Sequence, residues 1–167
     1  RGTESYVHNG DTYSRTVGSL VLQSAVHTEL LHDIRAGWDA AWEDRGPRQM
    51  DLGELRMLWD DDAATRMPGV LLEIAFHDNP EDARALKDPR FNQLAARAVY
   101  QGIVRYFEVR DGVDLVYAPE TPTHVRVQNI GGGQVRVSWS APPVDGIGGE
   151  AATGYRVSSS PDGFALR

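Results

Sequence analysis

The sequence contains no cysteine. That excludes disulfides, thiolate metal sites and a cysteine nucleophile, and it leaves the compartment open. No apolar run approaches the roughly 18 residues that would suggest a membrane span. Positive charge is also scarce: 17 Lys and Arg face 24 Asp and Glu, giving a net charge of −7 and a pI near 5.1. Nucleic acid is therefore not an expected partner, because phosphate binding needs clustered cations. The chain opens at Arg1 with neither Met nor a signal peptide and reads as a piece of something longer. What is present is globular in character, with 41% hydrophobic and 25% charged residues over 167 positions. That length holds one ordinary domain or two small ones.

The most informative stretch runs from Met67 to Asp82. Val70, Leu71, Leu72, Ile74 and Phe76 predict a strand buried on both faces. Glu73 stands in its middle, and an ionised carboxylate there requires a partner or a cavity. Asn79 then reads as a helix N-cap, with Pro80 at the first helical position and Glu81 and Asp82 in the first turn. A buried strand that carries an acid and runs into a capped helix is where chemistry is expected.

Before that stretch, Gly2 to His8 alternates as a short strand closed by the turn residues Asn9-Gly10-Asp11. Ser14 is placed to cap a helix from about Arg15 to Trp38, whose stripe includes Val17, Leu20, Val21, Leu31 and Ile34. Leu22, Val26 and Leu30 add a second apolar side, so this helix is expected to be buried by more than one neighbour. Glu43 to Asp51, with Gly46-Pro47, reads as loop, and Leu55 to Trp59 as either a strand edge or a helical turn. Asp60-Asp61-Asp62 reads as a solvated loop, since consecutive side chains diverge on regular backbone.

After the central strand, a short helix runs from Pro80 to about Leu86. Asp88 and Pro89 open a second one to about Phe107, with Phe91, Leu94, Ala95, Ala98, Gly102, Ile103 and Tyr106 on one stripe. Together these predict an α/β layer, part of a sheet flanked by helices. The texture changes at Asp111-Gly112. Beyond the Pro-rich Ala118 to Pro122, Val125 and Val127, then Val135, Val137 and Trp139, alternate with polar residues. With Tyr155 to Ser158 they predict three short strands of an all-β segment.

Residues 1–107 resemble the C-terminal part of the zinc-dependent N-acetylmuramoyl-L-alanine amidases of bacterial cell walls, the amidase type 3 family. The resemblance rests on Gly2-Thr3-Glu4-Ser5-Tyr6, the following helix, Met67-Pro68 leading into Leu72 to Phe76, Asn79-Pro80-Glu81, and the helix ending Gly102 to Phe107. Pro119, Pro122, Val135 to Trp139 and Tyr155 to Val157 resemble the start of a fibronectin type III domain. These likenesses imply a catalytic segment over 1–110, a linker over 111–118 and a partial β-sandwich over 119–167.

The family likeness implies Glu73 as the catalytic carboxylate of metal-assisted amide hydrolysis. Its substrate would be peptidoglycan, cut between N-acetylmuramic acid and L-alanine of the stem peptide, in the periplasm or outside the cell. The family's zinc is bound by a His, a Glu and a second His that precede the Gly-x-Glu stretch. Here those ligands are expected upstream of Arg1, so no residue of this chain is assigned to metal, and the piece alone is expected to be inactive and to bind zinc poorly. The residue-level alternative for Glu73 is an ion pair with Arg66. A scaffold with a degenerate amidase fold, or a zinc peptidase with a related layer, are the alternative functions.

Other candidates are weaker. His77 shares parity with Glu73, but four extended residues separate them by roughly 13 Å, too far for two ligands of one zinc. It departs from the family's apolar residue and reads as surface or as a contact at the substrate rim. Glu4 is expected to support the site from behind, and His8 shares its face. His27 and His32, five apart, do not align on one helix face and read as core-edge or solvent residues. His124 reads as surface, and Trp139 and Tyr155 as sandwich core rather than a glycan platform. Nothing in the sequence fixes an oligomeric state.

Overall fold

The computed structural model describes residues 1–9, 16–56, 67–144 and 147–160. The chain divides into two compact units, Arg1–Leu115 and Val116–Arg167. In the first unit, β1 (Thr3–Val7) is the central strand of three. On one side it pairs in parallel with β2 (Asp44–Gln49), and on the other antiparallel with β3 (Leu71–Glu73).

Two long helices, α1 (Ser19–Gly37) and α4 (Pro89–Asp111), pack on this sheet. Their shared core is Val26, Leu30 and Ile34 from α1 and Phe91, Ala95 and Ala98 from α4. Trp38 and Trp42 close one end against the Phe91 ring, at 5.4 and 5.3 Å between centroids. Gly102 sets the helix approach: a Cβ there would lie 2.5 Å from Val26 Cα. Two shorter helices, α2 (Gly53–Arg56) and α3 (Pro80–Lys87), complete this unit's described elements.

Local chemistry explains where the elements begin. The Asn79 side chain accepts from the Glu81 and Asp82 backbone amides at 3.0 and 3.2 Å, ahead of Pro80, as the sequence predicts. Asp88 caps α4 by accepting from Arg90 N at 2.9 Å. The first long helix starts at Ser19 rather than Arg15, because Gly18 sits at φ +93°, a left-handed conformation that interrupts a helix. The expected cap Ser14 lies outside the described residues, as do Asp60-Asp61-Asp62 and Arg66.

Two expectations about the three-stranded sheet are corrected. The segment read as loop between Glu43 and Asp51 contains β2, an exposed strand that tolerates Pro47 because, among the described residues, only one of its sides is laddered. The strand expected from Val70 to Phe76 pairs only over Leu71–Glu73 and is half-buried. Ile74 and Ala75 leave the ladder and pack against the helical core instead.

In the second unit, β4 (Thr123–Gly131) and β5 (Gln134–Ser140) form an antiparallel hairpin through Gly132-Gly133. Val127 faces Val137 and Asn129 faces Val135 across the ladder, while Arg126 and Gln128 face Ser138 and Arg136. One face is therefore mostly apolar and the other polar. Tyr155 to Ser158 forms no strand. The Trp139 and Tyr155 rings touch at 5.1 Å, but Tyr155 is 43% exposed rather than core. Among the described residues, two strands give no second layer to bury it.

Candidate active site

Alternate residues of β1 point to opposite faces of the sheet. Thr3, Ser5 and Val7 face α1 and are fully buried. Thr3 Oγ1 donates to Ile74 O and accepts from Trp42 Nε1, both at 2.8 Å. The Ser5 hydroxyl lies 3.0 Å from His27 Nδ1, and His27 Nε2 lies 3.0 Å from Asp44 Oδ1. With Nε2–H donating to the Asp44 carboxylate, Nδ1 accepts from Ser5. Burial alone would raise the Asp44 carboxyl, but His27 and the Gly46 amide hold it below the ordinary value. This row has the residue types of a serine hydrolase, but Ser5 has no exposed surface from which to attack a substrate. It is a structural bridge from β1 through α1 to β2, so His27 is a core ligand of the fold rather than a solvent residue.

The other face carries Glu4, Tyr6, Arg48 and Glu73. Glu4 stands directly opposite Glu73 across the β1–β3 ladder. Like charges in that relation repel, and here the repulsion is offset. Tyr6 Oη donates to Glu4 Oε1 at 2.7 Å, and Arg45 Nε and Arg48 Nε reach Glu4 Oε2 at 3.0 and 3.3 Å. Burial would raise the Glu4 carboxyl, but these three groups outweigh it and hold it below the ordinary carboxylate value. The hydrogen bond to Glu4 in turn raises the Tyr6 phenol. Glu73 is half-buried at the end of β3 and has no hydrogen-bond or ion-pair partner among the described residues.

The remaining histidines do not join this face. His77 is exposed in the turn after Phe76. His8 is buried, 3.0 Å from Asp51. His32 is 56% exposed on α1 beside Asp33, and His124 belongs to the second unit. Sequence reasoning missed Arg45, Arg48 and Tyr6, the groups that hold Glu4. The stretch from Glu43 to Gln49 is polar apart from Gly46-Pro47, so its periodicity carries no signal for the two arginines.

A family model for N-acetylmuramoyl-L-alanine amidase matches residues 1–105. This chain belongs to that amidase family. An uncharacterized cell wall amidase of Bacillus anthracis is 30% identical over 110 residues, 64% of this chain and 18% of that protein. The germination-specific N-acetylmuramoyl-L-alanine amidase of Bacillus subtilis (strain 168) is 42% identical over 40 residues, 24% of this chain and 17% of that protein. The chain thus spans less than a fifth of either relative. No solved structure matches it with significance.

Members of this amidase family are generally zinc-dependent. Among the described residues, Glu29, His32 and Asp33 bring three metal-capable donor atoms within 4.8 Å of one another. They do not fit the family's catalytic zinc. They lie on α1, across the sheet from Glu73, and their carboxylates already face cations of α4. Arg97 Nε is 3.5 Å from Asp33, and Arg105 Nε is 2.5 Å from Glu29. Burial raises the Asp33 carboxyl despite His32 and Arg97. The cluster is an electrostatic clamp between the two long helices.

Proposed function

We propose that this chain carries the general base of a peptidoglycan hydrolase that cuts the amide between N-acetylmuramic acid and L-alanine of the stem peptide. The observation that carries this reading is the Glu73 carboxylate, half-buried, unpartnered among the described residues and within the segment matched to the family. Water attacking the amide carbonyl must lose a proton, and the departing amine must gain one. Glu73 takes the first proton as base and returns it as acid. Glu4 does not compete for it, because Tyr6, Arg45 and Arg48 favour its ionised form. The zinc that the family generally needs has no fitting donor set among the described residues, and by the family pattern its ligands belong to sequence preceding Arg1. No step above runs through it.

In this reading the protein works in the cell wall or outside the cell. The second unit, read as the start of a fibronectin type III module, serves as a spacer or wall-binding arm. The test is a peptidoglycan digest by the full-length protein containing this chain, supplied with zinc, beside its Glu73→Gln variant. New L-alanine amino termini from the parent, lost in the variant, are expected. Full activity in the variant removes Glu73 from the chemistry. A folded, zinc-loaded parent that frees no termini overturns the amidase reading in favour of a wall-binding scaffold.

A further inference from the structure

The face that holds Glu73 also holds two guanidiniums that the hydrolysis does not use. Glu4 is one carboxylate, and two guanidiniums converge on the same oxygen of it. Arg45 reaches this face because the β1–β2 register slips: Thr3 pairs with Asp44 and Glu4 with Gly46, leaving Arg45 as the extra residue of a bulge. Bulges re-aim side chains in this way. The Arg45 guanidinium lies over the Phe76 ring, 4.5 Å from its centroid. Stacking and the single Nε bond to Glu4 fix its plane and leave both terminal nitrogens without a hydrogen-bond partner among the described residues. Arg48 donates from Nη2 to Arg45 O at 3.3 Å. The two side chains remain 35% and 48% exposed.

A pair of arginines held by one shared carboxylate, with a planar fork open to solvent, is built to take a second carboxylate. We propose that Arg45 and Arg48 form an anion subsite that binds a carboxylate of the peptide released by the reaction, and so select substrates by charge. This rests on Glu73 being the base, which fixes where the scissile amide lies. Both guanidiniums reach from β2 to Glu4 on β1, which stands opposite Glu73, so they lie between one and two strand spacings from the base, about 5–10 Å. An extended peptide advances about 3.4 Å per residue. The bound carboxylate therefore belongs two or three residues beyond the scissile amide. Tyr6 and Glu4 act as positioning residues for the fork, and Phe76 as its stacking platform.

The experiment compares two synthetic muramoyl tripeptides that differ only in a terminal carboxylate or carboxamide, with whole peptidoglycan as a third substrate. In the zinc-supplied full-length protein, kcat/KM should favour the carboxylate by about tenfold, through KM, as expected for a charge-assisted contact. In the Arg45→Gln/Arg48→Gln variant that ratio should fall to about one. A parent that cleaves both peptides equally overturns the subsite, whatever the variant does, and so does a variant that keeps the preference. If the parent cleaves neither peptide nor peptidoglycan, the amidase reading itself has failed. Cleavage of peptidoglycan without discrimination between the peptides discards the anion subsite alone.

Discussion

The two faces of β1 are made of similar material and do opposite things. Toward α1 it shows Thr3 and Ser5; away from α1 it shows Glu4 and Tyr6. All four are polar, and Thr3, Ser5 and Glu4 are buried. On the inner face the described polar groups are matched: Trp42, Ile74, His27 and, through His27, Asp44 take up the hydroxyls, and Gln23 Nε2 donates to both Ser5 O and Arg48 O at 2.9 Å. On the outer face the matching is incomplete. Two arginines share one acid, and the second acid, Glu73, is left over. Polar residues with every bond made hold a fold together; polar residues with a surplus are available to a substrate. The type of residue does not separate structure from function here. The balance of partners does.

The sharpest way to break this contrast is at Glu73. Glu73→Gln in the full-length protein should lower the rate of amide release by about 10²–10⁴-fold, the usual scale for a lost general base. Its unfolding free energy should stay within about 0.5 kcal/mol of the parent, since no described partner is lost. Parallel activity and urea-unfolding measurements would separate the two effects, and a large stability loss would make Glu73 structural.

An inner-face substitution should behave the other way round. His27→Ala leaves the Ser5 hydroxyl and the Asp44 carboxylate without their bridge and opens a cavity, costing about 2–4 kcal/mol of stability. Activity per folded molecule should be preserved. Gly102→Ala sharpens the comparison from within the core. It forces α4 away from the Val26 backbone and should cost about 1–3 kcal/mol. A thermal midpoint equal to the parent's would show that the helices separate freely.

The smallest effect is in acid. Glu4 and Asp44 both have carboxyls held below their ordinary values, so the folded state binds fewer protons than the unfolded chain. Their contribution to stability is complete above the unfolded pKa values and is lost as pH falls through the lower folded ones. Asp33, raised by burial, has the opposite sign: it loses stability as pH rises from its unfolded value of 3.8 through its folded one. Unfolding midpoints measured downward from pH 5 should therefore fall less steeply in Glu4→Gln than in the parent. Superimposable curves would mean that the outer-face arginines do not hold Glu4.

Much of this was legible in the sequence where local chemistry decides structure. Asn79-Pro80 and Asp88-Pro89 announce helix starts through their own side chains, and the Phe91 to Tyr106 stripe gives α4 its buried face. The family pattern of Glu73 to Phe76 marks the acid on which the proposed function rests. What could not be read depends on partners distant in the chain. β2 is polar, carries Pro47 and is a strand only because β1 lies beside it. The apolar run from Val70 to Phe76 looks like one long strand, but β1 offers ladder partners over Leu71–Glu73 alone. The roles of His27, Arg45 and Arg48 follow from register and a bulge, and neither leaves a mark on composition or periodicity.

One buried side chain has a consequence in time rather than in energy. Asp82 Oδ2 accepts from the amides of Gly2 and Phe76, at 2.9 and 3.0 Å. It therefore ties the segment leading into β1 to the segment leaving β3. Neither amide belongs to a strand or a helix. Both should nonetheless exchange with deuterium at rates typical of the core, and release their protons only when α3 itself detaches.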